Sequence, residues 1–362
     1  MSLRYLLRAD KTLIVRGPAT LALLNGEARI LGSPLNKLTK IVVQQEKQLP
    51  VESWRDTEVE ITLGETGAIK EIEGSTVPRS WKDIVDSLET IHQGIMMIIG
   101  PADVGKSTLC TYVMNELLNR GINVRVIDAD VGQADIGPPT TIASSIPNIP
   151  TPVLSGLIPD RMFFVGHTSP GAVASKIFYG IKRMLHYESN MLTLINTDGW
   201  ILDSEAVVYK NLLISMVRPD IVIGIGPENS LRPLLDTTKS HWILAETSRA
   251  ILPRTRSDRR EIRKSGYRRF LDGSAIHTLR LNDVKMQLRS NIKHAFSTRS
   301  PQLHNVLVGF LDEEGFMHQI GILETIMGDC LRIYSKTMHK TTILELGQVM
   351  LSRDGSELGF LE

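Results

Sequence analysis

Residues Gly100 to Thr108 read G-P-A-D-V-G-K-S-T, with Gly100, Gly105, Lys106 and Ser107 at the fixed positions of G-x-x-x-x-G-K-[ST]. Each residue type has a chemical use at that spacing. Glycines let the backbone curl so that its N–H groups, including those of Asp103, Val104 and Thr108, converge on an anion. A helix opening behind the loop adds the positive end of its dipole. Lys106 brings a point charge to the outer phosphates of a polyphosphate, and the Ser107 hydroxyl can ligate Mg²⁺. A glycine turn that fits the pattern by chance would lack the right flanks. Here the apolar run Ile95–Ile99 reads as a buried strand before the loop, and Leu109–Leu118 has helical spacing after it. The expectation is a nucleoside triphosphate site. What is done with the phosphate must be read elsewhere.

Three further polar motifs directly follow apolar runs. Asp128-Ala129-Asp130-Val131-Gly132-Gln133 ends one of them. Carboxylates there can hold Mg²⁺, and at i and i+2 on extended chain they share a face. One could serve the metal while the other faces an attacking hydroxyl; the alternative is a solvated acidic loop. Gly166-His167-Thr168-Ser169-Pro170-Gly171 reads as an N-cap opening a helix over Ala172–His186, with Thr168 and Ser169 either capping it or touching phosphate or ribose. Asn196-Thr197-Asp198-Gly199-Trp200 sets a Trp where it could stack on a base, wedge the phosphate loop, or lie in the core. A fourth feature is compositional. Pro253–Leu271 holds Arg254, Arg256, Arg259, Arg260, Arg263, Lys264, Arg268 and Arg269 in one helical segment. It reads either as a solvated basic face or as a lid whose arginines reach a transferring phosphoryl group.

The elements that must position these residues fall into three stretches. Residues 1–82 are β-rich, with short apolar runs separated by Gly, Pro and Asn, as in a small sandwich or barrel. Residues 83–275 alternate apolar strands with helical stretches, the pattern of an α/β, doubly wound, mostly parallel sheet whose ligands lie beyond the C-terminal strand ends. Residues 276–362 return to strands around a turn at Asp312–Gly315. The expected architecture is a central P-loop domain between two small β domains. Hydrophobic content of 42% and charged content of 22% are ordinary for a globular chain of 362 residues. No apolar run has the length of a membrane span and no signal peptide is evident, so no membrane partner is expected. Cys110 and Cys330 are far apart, which suggests a reduced, cytoplasmic protein without disulfides or zinc. The net charge of +1 leaves no global basic field, so nucleic acid would be met at a local patch, which suits a chain end better than a long strand.

Taken in order, these motifs resemble the polynucleotide 5′-hydroxyl kinases related to the RNA kinase of the mRNA 3′-end cleavage machinery, the rRNA-processing kinases and their archaeal counterparts. The resemblance rests on G-P-x-D-V-G-K-S-T, D-V-G-Q at Asp130–Gln133, T-x-G-W at Thr197–Trp200, G-x-T-[ST]-P-G at Gly166–Gly171 and R-x-x-x-x-R-R-E-x-R from Arg254 to Arg263. It implies ATP or another NTP as phosphoryl donor, Mg²⁺ or another divalent cation, and 5′-OH ends of RNA or DNA as acceptor. Lys106 and the loop amides would hold the β/γ-phosphates, with Ser107 on the metal. Asp130 would approach metal and acceptor hydroxyl as general base, with Asp128 a second metal candidate. Gln133, Thr168, Ser169, Thr197, Gly199 and Trp200 would meet the substrate, and Arg254 and Arg259 match the two lid arginines. Tyr267-Arg268-Arg269-Phe270-Leu271 departs from the pattern, because relatives carry an aromatic pair there.

Two other readings compete with a kinase. A P-loop ATPase or GTPase switch is disfavoured by the lack of an N/T-K-x-D motif and by Pro101 where deviant loops of that class carry Lys. A non-catalytic ATP-holding scaffold is opposed by the intact Lys106, Asp130 and lid arginines.

Overall fold

The structure is a computed structural model that describes residues 2–37, 39–186, 190–288, 303–336 and 343–361. The chain forms two compact units: residues 1–126, 146–158 and 189–258 make the first, and residues 127–145, 159–188 and 259–362 the second.

The first unit begins with two antiparallel sheets. One has the order Ser2–Leu7, Thr57–Leu63, Ala19–Asn25, Lys40–Val43; the other runs Ser33–Pro34, Arg29–Ile30, Gln48–Ser53, Lys11–Arg16, Ala68–Glu73. Alternation along Thr57–Leu63 buries Thr57, Val59 and Ile61 and turns Glu58 outward. A helix over Arg79–Leu88 follows, with Trp81, Ile84, Val85 and Leu88 buried at helical spacing. The Trp81 Nε1 donates to the Glu246 carbonyl at 2.8 Å.

Four parallel strands carry the P-loop. They are β1 (Gly94–Ile99), β5 (Leu192–Thr197), β6 (Ile221–Ile225) and β7 (His241–Ala245), with β1 paired to both β5 and β6, and β6 to β7. Met96, Met97, Ile98 and Ile99 are fully buried, which is why β1 reads as an unbroken apolar run. Helix α1 (Lys106–Asn119) returns along this sheet, and α3 (Ser204–Val217) follows β5. The outer side of α1 is gripped by the N-terminal β region. Asn115 Nδ2 donates to the carbonyls of Leu31 and Thr151 at 2.7 and 2.8 Å, its Oδ1 accepts the Thr151 amide, and Asn119 Nδ2 reaches the Gly32 carbonyl. Cys110 is buried in α1 as a core residue, and neither cysteine is in a disulfide.

Strand β2 (Val124–Ala129) carries the chain from the first unit into the second. There β3 (Thr141–Ser145) and β4 (Arg161–Phe164) pair antiparallel, Thr141 opposite Phe164. The sequence suggests the strand around Met162–Val165 but not its direction. It misses β3 altogether, because Thr-Ile-Ala-Ser-Ser is buried throughout without being apolar. Helix α2 spans Ala174–His186, preceded by a single 3-10 turn at Pro170–Ala172. The closing sheet has the order Ala275–Arg280, Cys330–Ser335, Met317–Met327, Val306–Leu311, Ile343–Leu351, Lys285–Gln287, over a core that includes Val306, Phe310, Leu323, Ile333 and Leu346. The expected turn at Asp312–Gly315 is present, with Gly315 at φ 82° and the Asp312 amide donating to the Phe316 carbonyl. Among the described residues no helix is long and apolar enough to cross a membrane.

Candidate functional site

In the first unit, Gly100–Thr108 joins β1 to α1. Asp103 and Gly105 take left-handed backbone, φ 60° and 97°, which turns the intervening amides inward. A Cβ on Gly105 would lie 2.8 Å from Ile251 Cδ1, and the backbone at φ 97° would itself strain any other residue. Helix α1 opens without a side-chain cap and without an acidic residue in its first turn, leaving its amide donors for an anion. Lys106 is 7% exposed and its Nζ donates to the Pro101 carbonyl at 2.8 Å, so the ammonium is held over its own loop. The Ser107 hydroxyl accepts from Asn196 Nδ2 at 3.2 Å. Val104 is buried, while Thr108 lies half-buried in the first turn. Asp103 Oδ2 accepts the Arg254 amide at 3.2 Å, tying the start of the Arg-rich segment to this loop.

The Thr197–Trp200 turn lies against the same loop. A Cβ on Gly199 would come within 2.6 Å of the Ala102 amide nitrogen, so the two backbones touch. Thr197 is buried, and its Oγ1 donates to the Ile98 carbonyl at 2.8 Å. Trp200 is half-buried and not a core residue. Its indole N–H donates to Asp203 Oδ2 at 2.6 Å, and its ring lies 5.4 Å from that of Tyr209. Asp203 also caps α3 through the Ala206 amide, and these donors hold its carboxyl below the usual carboxylate range. Asp198 accepts from the Trp200 amide, the Tyr209 hydroxyl and the ammonium of Lys210, a fully buried residue. Sequence reasoning missed Asn196, Tyr209 and Lys210. A polar residue on an amphipathic helix reads as solvated, and no local pattern marks Lys210 as buried.

In the second unit, the loop after β2 is organised by its two carboxylates. Asp128 is fully buried; its Oδ2 accepts the amides of Asp135 and Ile136 at 2.6 and 3.1 Å, and its Oδ1 accepts that of Asp130 at 3.4 Å. Burial pushes Asp128 up to about 7; the charges of Asp135 and Asp130 add to this, and the amides of Asp135 and Ile136 oppose it. Asp130 is half-buried, and its Oδ1 accepts the amides of Gly132 and Gln133 at 3.1 and 2.9 Å. Gln133 Nε2 donates to the carbonyls of Gly132 and Arg259, while its buried Oε1 has no hydrogen-bond partner among the described residues. A Cβ on Gly132 would sit 2.9 Å from the Thr168 carbonyl. The fold therefore brings together four predicted residues of this unit: Asp130, Gln133, Thr168 and Arg259.

The expected N-cap at Thr168 and Ser169 is not made. Ser169 occupies the position before the 3-10 turn without a side-chain cap bond, and α2 begins only at Ala174. Pro-Gly forces that turn and delays the helix. The exposed Ser169 instead donates its amide to His167 Nδ1 at 2.9 Å, and the His167 ring rests on Phe360.

The Arg-rich segment forms α4 (Arg256–Leu271). Its C-terminal half is not a solvated face. Arg263 makes a two-pronged ion pair with Glu357 at 2.6 and 2.7 Å, Lys264 pairs with Asp354, and Tyr267 is fully buried. Arg269 donates to the carbonyls of Asp135 and Ile136 at 2.8 and 2.7 Å, clamping the loop after β2. That contact gives a structural use to the departure at Tyr267–Leu271. Arg254 and Arg259 are half-buried, and Arg256, Arg260 and Arg268 are exposed.

The two groups of residues are chemically suited to a hard cation and a nucleotide. Every candidate metal ligand is an oxygen, from Ser107 or a carboxylate, and the helix after the loop opens without a side-chain cap. No described cluster of three or more His, Cys, Asp or Glu would hold a metal by itself.

A loop of this form between a parallel strand and a helix, with β sheets before and after it, defines a P-loop protein of mixed α/β architecture. Residues 100–273 match the model of the mRNA cleavage and polyadenylation factor CLP1 P-loop family. It is 28% identical over 320 residues to the polyribonucleotide 5′-hydroxyl-kinase of Pyrococcus horikoshii, covering 74% of this chain and 88% of that one. It is 26% identical over 300 residues to the CLP1 homolog of Culex quinquefasciatus, covering 74% and 69%. Its fold matches the structure of a wild-type Clp1p–Pcf11p complex with a TM-score of 0.75 at 12% identity, covering 97% of this chain and 98% of that one.

Proposed function

We propose that this chain is a polynucleotide 5′-hydroxyl kinase, transferring the γ-phosphoryl group of ATP or another NTP to the 5′-OH end of RNA or DNA in the cytoplasm. The observation that carries this reading is the phosphate loop gripped by the Thr197–Trp200 turn. A simple switch has no use for a Trp held there by Asp203. The names of the archaeal relatives agree with it.

Phosphoryl transfer asks for positioning and charge neutralisation more than for covalent chemistry. On the donor side, the amides of Asp103–Thr108 and Lys106 bind and orient the β/γ-phosphates, and Ser107 offers an oxygen to Mg²⁺, which when bound neutralises phosphate charge. Arg254, whose amide donates to Asp103, is the lid residue assigned to meet that charge. On the acceptor side, Asp130 is the carboxylate free enough of burial to take the proton of the 5′-hydroxyl. Asp128, buried and surrounded by amides, shapes the loop. Gln133 Oε1 is an open acceptor for a nucleotide donor group, with Thr168, Ser169 and Arg259 beside it in sequence or space. A division into β, kinase and β domains near residues 82 and 275 belongs to the same proposal.

Incubation with γ-labelled ATP, Mg²⁺ and a 5′-OH oligonucleotide tests it. Label on the oligonucleotide is the expected result. Free phosphate alone would indicate an ATPase switch, and bound ATP with neither product a scaffold.

A further inference from the structure

Lys210 has no exposed surface, and the Asp198 side chain is 4% exposed. Burying an ion pair is a poor way to gain stability, because desolvation offsets most of the attraction and apolar replacements often do as well. The contacts of this pair say what it does instead. Lys210 Nζ reaches both the Oδ2 and the backbone carbonyl of Asp198, at 2.9 and 3.0 Å. The Tyr209 hydroxyl donates to the same Oδ2 at 2.9 Å. Asp198 Oδ1 is left to accept the Trp200 amide at 3.0 Å. One turn of α3 thus grips the side chain and the backbone of a single residue. Thr197 pins the preceding residue to β1, and the Asp203 cap holds the indole of Trp200. Between these anchors only Gly199 has no side chain of its own, and it is the residue pressed on the Ala102 amide of the phosphate loop.

We propose that Lys210 and Tyr209 are positioning residues: by locking Asp198 they fix the Thr197–Trp200 turn against the phosphate loop and so set the loop's affinity for nucleotide. The bonds of Lys210 and Tyr209 described above end on Asp198, not on the phosphate loop, so they act through the turn. The proposal rests on the nucleotide-binding part of the reading above and not on transfer to an acceptor.

Titration of the full chain with a fluorescent ATP analogue, at low temperature and alongside thermal melting, tests it. Tyr209→Phe removes one hydrogen bond and is expected to fold with a near-native Tm while raising the Kd about threefold. Lys210→Met leaves the Asp198 charge buried and is expected to lower Tm and raise Kd about tenfold. The double variant Asp198→Asn/Lys210→Met removes both charges. It is expected to regain most of the lost Tm while its Kd stays about tenfold high, a split that a purely structural pair would not produce. A double variant and a Tyr209→Phe variant that both bind as tightly as the parent would overturn the positioning role. A parent chain that does not bind the analogue would overturn the nucleotide reading, and this inference with it.

Discussion

Asp198 stands just past the end of β5 in one unit and Asp128 near the end of β2 in the other, and both are buried. Asp198 is met by an ammonium, a phenol and an amide. Asp128 is met by three backbone amides, with burial and the Asp135 charge raising it to about 7. A countercharge pins the first in place, and the first serves a backbone that must not move. Amides make the second a hub around which a loop is wound, leaving the half-buried neighbour Asp130 to face solvent chemistry. The same residue type at two strand ends therefore does two jobs, and the partner decides which.

The largest effect is expected at the half-buried carboxylate of the loop after β2. Asp130→Ala should lower kcat by about 10²–10⁴ while leaving nucleotide affinity near the parent value. Single-turnover transfer at near-parental rate would remove Asp130 from the chemistry. The same isosteric change can then be made at both buried carboxylates. Asp198→Asn strands the Lys210 ammonium and should cost about 3–5 kcal/mol in urea unfolding. Asp128→Asn keeps one acceptor for the loop amides and relieves a buried charge, so its cost should be about 1 kcal/mol or less. Equal costs would break the comparison. Arg269→Met leaves the Asp135 and Ile136 carbonyls without that donor, an expected loss of about 1–3 kcal/mol by the same measurement. The smallest effect concerns Asp203. Its amide and indole donors favour the ionised form, so its contribution to stability is present above the ordinary value of 3.8 and is lost as pH falls through a lower folded value. A carboxyl-carbon NMR titration should place its midpoint below 3.8; one at or above it would mean the Trp200 and Ala206 bonds are not held in solution.

The phosphate loop was legible because its glycines, lysine and hydroxyl are required at fixed spacing by backbone geometry. The parallel strands were legible because burial on both faces demands apolar runs such as Met96–Ile99. Ser2–Leu7 and Ala68–Glu73 were harder to see, since Arg4, Lys70, Glu71 and Glu73 interrupt them and at most one face is covered. Thr141–Ser145 was hidden by its hydroxyls, of which Thr141 is satisfied by the Pro138 carbonyl. Long-range partners left no trace in the sequence. Arg263 and Arg269 look alike within one basic run, yet one meets Glu357 and the other a row of carbonyls. Lys210 in α3 gives no sign that Asp198 awaits it.

The grip of the N-terminal β region on α1 has a practical consequence. Asn115 and Asn119 depend on the carbonyls of Leu31 and Gly32, and Gly32 at φ 80° sits so close that a Cβ there would meet the Glu116 carboxylate at 2.5 Å. Whoever transplants this phosphate loop into another scaffold must carry that distant turn along with it. Otherwise Asn119 loses its acceptor, and Asn115 one of its two, on the helix that opens from that loop.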